Sequence, residues 1–147
     1  MLIPETYVSD LQLRLGLYRR LSSFEKRADI DSFAAELVDR FGQLPEEVTA
    51  LLDVMEIKGL CRQAGIQQLD AGPKGAVIAF RKGIFANPEG LIQYITRNKA
   101  TVKLQGDQKL LFRGEWEQPE TRLKGAREIA TVLAALAQAA PSQRKAG

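Results

Sequence analysis

The chain has 147 residues, 45% hydrophobic and 27% charged, with a formal net charge of +3 at pH 7 and no histidine. That size and balance fit one soluble domain able to bury about 70% of its extended surface. Without histidine there is no Ser–His or Cys–His nucleophile pair, no imidazole base and no imidazole metal ligand.

No apolar run approaches the roughly 20 residues that cross a bilayer. The opening MLIPETYVSD lacks the basic region and apolar core of a secretory signal. The lone Cys61 has no partner for an internal disulfide, which fits a cytoplasmic location. The cations come in short pairs (Arg19-Arg20, Lys26-Arg27, Arg81-Lys82) along the whole chain and read as solvated surface rather than as one nucleic-acid-binding stripe.

The first half has helical periodicity. After a cap at Ser9 or Asp10, Leu11, Leu15, Tyr18 and Leu21 recur on one stripe, widened by Leu17 and Phe24, with Gly16 as a weak point. A second helix is predicted from a cap at Asp29, with Ile30, Phe33, Leu37 and Phe41 on one face and Gly42 as its stop. A third opens at Pro45, carries Glu46 and Glu47 in its first turn, buries Val48, Leu51, Leu52 and Met55, and ends at Gly65.

From Ile66 the period changes to two. Residues 66–71 and 76–82 are predicted strands around Gly72-Pro73-Lys74-Gly75. Asn87-Pro88-Glu89 opens a short helix with Leu91, Ile92 and Ile95 inward, and a second hairpin covers 101–105 and 109–113 around Gly106-Asp107. A last helix from Pro119 buries Leu123, Ala126, Ala130, Leu133 and Ala137, before a polar tail, 141–147, expected to be disordered. The order α-α-α-β-β-α-β-β-α, with helices segregated from antiparallel hairpins, defines an α+β fold.

Few stretches suggest chemistry. Gly72-Pro73-Lys74-Gly75 lacks the spacer and ending of a phosphate loop and is a hairpin turn. Cys61 reads as a small buried hydrophobe, and Trp116 as packing rather than a base-stacking platform. Glu36 and Asp39 lie about 100° and 160° from Leu37 on the same side of the second helix. They form an acidic, solvent-facing pair, a pattern that by itself usually serves solubility.

The segment ELVDRFG-x-LP-x-x-V-x-x-LL (Glu36–Leu52), preceded by RLGLYRRLSS (Arg14–Ser23), resembles the C-terminal domain of bacterial transcription-repair coupling factors. The likeness continues around Ala64-Gly65-Ile66, through Gly75–Phe80, at Asn87-Pro88 and along Lys109–Phe112. The resemblance implies a single non-catalytic regulatory domain, residues 1–140, excised from a longer bacterial protein with Met1 at a cut point. It also implies that the parent is an ATP- and Mg-dependent DNA translocase that displaces stalled RNA polymerase and recruits the excision-repair protein UvrA. The domain itself would hold no cofactor or metal. It would dock on the parent's UvrB-like N-terminal module and mask the UvrA-binding surface.

In that family the carboxylates matching Glu36 and Asp39 face basic residues of the UvrB-like module, with Ser32 and Arg40 as flankers here. A rival expectation is a nucleic-acid-binding module using the dispersed basic residues, and an enzyme built on carboxylates or lysines would need a convergent pocket.

Overall fold

The computed structural model describes residues 2–145, with side chains described through residue 139. Cα packing divides the chain into two units, Met1–Gly59 and Leu60–Gly147. Helix α3 (Glu46–Ala64) begins in the first and ends in the second. The α+β order expected from sequence is the one observed: three helices, a hairpin, a helix, a hairpin and a helix.

The first unit holds α1 (Leu11–Ser22), α2 (Arg27–Phe41) and most of α3. Asp10 caps α1 by accepting a hydrogen bond from the Gln12 amide, which satisfies one of the free N–H groups of the first turn. Ile30, Phe33 and Leu37 of α2 meet Leu17 and Leu21 of α1 and Val48, Leu51 and Leu52 of α3 in one apolar cluster, closed by Ile3 and Val8. Burial of a Leu, Val, Ile or Phe side chain contributes about 1.5–3 kcal/mol, so this cluster dominates the stability of the unit. Phe33 is nearly inaccessible and meets Phe24 edge-on at 5.3 Å.

Three expectations are corrected in this unit. Leu11 and Leu15 lie outside the core, Leu11 being 55% exposed, and Leu17 with Leu21 is the buried pair. Alternating leucines at 11, 13, 15 and 17 satisfy more than one helical face, and the packing partner selects among them. Asp29 sits inside the first turn of α2 rather than capping it, where its charge still favours the positive end of the helix dipole; the cap position is Lys26. Pro45 immediately precedes α3, and its carbonyl accepts from the Val48 and Thr49 amides.

The second unit is a four-stranded antiparallel sheet with two helices. Strands β1 (Ile66–Gly72), β2 (Gly75–Phe80), β3 (Val102–Leu104) and β4 (Leu110–Arg113) lie in the order β1-β2-β4-β3. Because side chains alternate along a strand, Ala76, Ile78 and Phe80 share a face with Val102, Leu110 and Phe112. That face packs on Leu91 of α4 (Pro88–Arg97) and on Ile129, Leu133, Ala134 and Ala137 of α5 (Pro119–Lys145).

Ile92, expected inside, is 63% exposed, and Tyr94 packs against the core alongside Ile95. Leu123 is only half-buried, and Ile129 and Ala134 join the stripe on α5. Strands β2 and β4 are shorter than expected at one end because residues 81–83 form a 3-10 turn and Lys109 belongs to the β3–β4 loop. The tail expected from 141 falls on residues whose side chains are not described, and 146–147 lie outside the described residues altogether.

The turn 72–75 joins β1 to β2 with Gly72 opposite Gly75. Gly75 has φ +132°, and a Cβ there would meet the Phe112 carbonyl oxygen, so no other residue fits this register. Asn87 is buried, with both ends of its amide used: Oδ1 accepts from the Gly90 amide (3.0 Å), capping α4, and Nδ2 donates to the Leu136 carbonyl of α5 (2.9 Å). Asn87→Ala should therefore cost about 1–3 kcal/mol of unfolding free energy, from the lost cap and the lost hydrogen bond to α5. Asn87→Asp, which keeps the cap acceptor but cannot donate to Leu136, should also destabilise. Urea titration checks both; two wild-type-like midpoints would show that this side chain does not tie α4 to α5.

Candidate docking face on the second helix

Ser32, Glu36, Asp39 and Arg40 fall within an arc of about 100° on α2, on the side opposite much of its buried stripe. The helix therefore brings all four sequence-predicted residues onto one face. Ser32, Asp39 and Arg40 are exposed, while Glu36 is half-buried, its side chain 34% accessible.

Glu36 is already engaged. Arg20 of α1 grips it in a two-pronged pair, Nη1 to Oε2 and Nη2 to Oε1, both 2.7 Å, and Arg40 adds Nη1 to Oε2 at 3.1 Å. Parallel N–H···O bonds of this kind match the planar fork of guanidinium to the carboxylate. Arg20 is held in turn by the Phe33 ring, whose centroid lies 4.9 Å from the guanidinium carbon, and Arg40 lies at the same distance from Phe41. Hydrogen bonds from Arg20 and then Arg40 lower the Glu36 carboxyl from its ordinary 4.5 to about 2.

Asp39 differs. It makes no hydrogen bond or ion pair with the described residues, and its oxygens face solvent. The solvent-facing acidic pair of the sequence is thus one compensated carboxylate and one open one. With Arg20 and Arg40 counted, these four charges sum to zero. Arg20 is the partner of Glu36 that reading along α2 does not find, because it sits on another helix.

Just below this face, Tyr7 donates its phenolic hydrogen toward the carbonyls of Leu37 (3.1 Å) and Gly42 (2.7 Å), fixing the end of α2 to the N-terminal segment. Arg27 at the other end pairs with Glu56 of α3 at 2.7 Å. Both ends of α2 are tied, so its outer face is presented on a stiff support.

The remaining sequence-flagged residues are structural. Gly72–Gly75 is a hairpin turn whose Pro73 and Lys74 carbonyls accept from the Trp116 and Gly114 amides. Trp116 packs against the core of the second unit, with Gly114 and Gly125 giving its ring room. Cys61 is partly buried, and desolvation pushes its thiol up. Among the described residues no group of three or more His, Cys, Asp or Glu gathers as a metal site, and no helix is long and apolar enough to cross a membrane.

Charge divides unequally between the units. The first has seven Lys and Arg against eleven Asp and Glu, a net −4; the second has fourteen against seven, a net +7.

Three helices followed by a four-stranded antiparallel sheet with two helices define a small α+β domain. Comparison with known proteins makes that specific: residues 1–91 match the family model of the TRCF domain, and the chain belongs to that family. It is 40% identical over 110 residues to the transcription-repair-coupling factor of Rickettsia bellii, covering 75% of this chain and 10% of that protein. It is 31% identical over 134 residues to the factor of Haemophilus influenzae (91% and 12%) and 30% over 128 residues to that of Escherichia coli (87% and 11%). The chain thus spans about a tenth of the length of these relatives. Its fold is similar to a crystal structure of the C-terminal domain of transcription-repair coupling factor, with a TM-score of 0.75 at 20% identity over 94% of this chain and 89% of that one.

Because folding lowers the Glu36 pKa, the contribution of this carboxylate is fully present above pH 4.5 and fades as pH falls toward 2. Glu36→Gln should therefore lower Tm at pH 6 and converge on wild type near pH 2. Calorimetry across that window checks it; a constant Tm difference at every pH would show that the Arg20–Glu36–Arg40 network does not form in solution.

Proposed function

We propose that this domain is a non-catalytic regulatory module of a longer bacterial transcription-repair coupling factor, acting by intramolecular docking. The α2 face binds the UvrB-like N-terminal module and masks its UvrA-binding surface. In this reading ATP and Mg, the motor on DNA and the displacement of stalled RNA polymerase belong to other parts of the parent, which works in the cytoplasm. Membership of the TRCF family supports the setting, and the observation that carries the contact is the open Asp39 carboxylate beside a carboxylate already braced by Arg20 and Arg40.

On this reading the two carboxylates have different roles. Glu36 has three of its roughly four acceptor positions taken, leaving it little capacity for a new arginine. Asp39 has its full capacity and supplies the main contact to a basic partner. Arg40 and Ser32 add a donor and a hydroxyl to the rim. A rim contact of this kind contributes about 1 kcal/mol and more where it is desolvated, which suits a latch that must open. A closed state favoured by about 3 kcal/mol leaves under about 1% open, from which a ligand preferring the open form can shift it.

The test is charge reversal in the full-length coupling factor. Asp39→Arg should raise UvrA retention in a pull-down roughly tenfold, matching about 1.4 kcal/mol of lost closure, with circular dichroism unchanged. Asp39→Arg combined with Glu36→Arg should raise it further, although the double variant also places a third guanidinium beside Arg20 and Arg40. Wild-type UvrA retention by a folded Asp39→Arg protein would remove Asp39 from the latch.

A further inference from the structure

Three of the fourteen cations of the second unit gather where the sheet ends. Among the described residues strand β3 pairs with β4 alone, so its other edge has no strand beside it. The pairing of Val102 with Phe112 and Lys103 with Leu111 points Val102 and Phe112 into the core and Lys103 away from the helices. Arg113 follows Phe112 on β4, so it lies on the same outward face as Lys103, and its amide donates to the Thr101 carbonyl at 2.7 Å. Lys99 stands on the turn that leads from α4 into β3.

These three cations line one open cavity of about 420 Å³ together with Ile95, Thr101 and Leu104. No carboxylate lines it, and none of the three cations forms an ion pair with a described residue. Nearby Lys109, by contrast, is matched by Asp107 at 3.7 Å.

We infer that the open β3 edge of the second unit, through Lys99, Lys103 and Arg113, binds the phosphodiester backbone of nucleic acid. Three uncompensated cations within one cavity match closely spaced phosphates. No aromatic side chain lines the cavity, so bases have no stacking platform and the contact is to the backbone, independent of sequence. An acidic peptide adding a strand to β3 fits less well. The strand has three residues with a lysine at its centre, and short, charged edges of this kind resist strand addition. This proposal uses none of the α2 residues and stands or falls independently of them.

Fluorescence anisotropy of the 147-residue chain with a fluorescein-labelled duplex of about 20 base pairs reads the inference directly. Three phosphate contacts give a slope of log Kobs against log salt near −2.7, so affinity should fall about 40-fold between 50 and 200 mM KCl. Lys99→Gln, Lys103→Gln and Arg113→Gln together should weaken binding at least about tenfold and flatten the slope by roughly 2 to 3. The charge-matched control, Lys74→Gln with Arg81→Gln and Lys82→Gln, should retain most of the affinity. Equal losses in the two triple variants, absence of duplex binding at 50 mM KCl, or tighter binding of a labelled polyglutamate of the same charge would each overturn it.

Discussion

The Phe33 ring is the fixed point on which the first unit depends. It is almost fully buried between helices, meets Phe24 edge-on, and carries the Arg20 guanidinium over its face. From that position both terminal nitrogens of Arg20 reach Glu36. Core packing and surface electrostatics are thereby coupled, since a change in ring position would move the guanidinium and the carboxylate it holds. Most surface ion pairs contribute little because two long side chains must be ordered to form them. Here the ring lies against one partner, and a second arginine, on α2, also reaches the carboxylate.

The same coupling shows how far local sequence carries a reader. The spacing of Ile30, Phe33 and Leu37 is a local property, and so is the angular placement of Glu36 and Asp39 relative to it; both are legible along one helix. Arg20 is sixteen residues upstream of its partner on a different helix. It lies within the LYRR segment that carries the family likeness, yet nothing in the periodicity of α1 singles it out. Leu11 and Leu15 mislead for a related reason. A helix with leucine at four alternating positions has apolar residues on several faces, and the neighbouring helix decides which are covered.

The sheet divides along the same line. Gly72-Pro73-Lys74-Gly75 and Asn87-Pro88 announce a turn and a helix start through backbone chemistry that acts within four residues. The placement of β4 beside β2, with β3 at the edge, depends on the side chains of two hairpins and two helices fitting together, which no window of sequence contains. Ile92 is exposed because α4 turns its Leu91–Tyr94–Ile95 side inward, a choice made by the sheet beneath it. The clustering of Lys99, Lys103 and Arg113 has the same origin: a chain whose cations look dispersed gathers three of them once β3 and β4 pair.

On the proposed reading, the difference between Glu36 and Asp39 bears on how a latch can be both specific and weak. A carboxylate whose charge is compensated within its own domain offers a partner little attraction, but it does not have to be re-paired when the partner leaves. Glu36 can thus be partly covered in the docked state without becoming an unpaired buried charge in either state, which is the costly outcome for ionised groups. Asp39 is exposed to solvent in the free domain, so its release on opening costs only the attraction it made. A braced carboxylate beside an open one gives a face that keeps its shape in both states while its affinity rests on one exchangeable charge. Closure can then be reversed by a competing ligand without any part of α2 having to unfold.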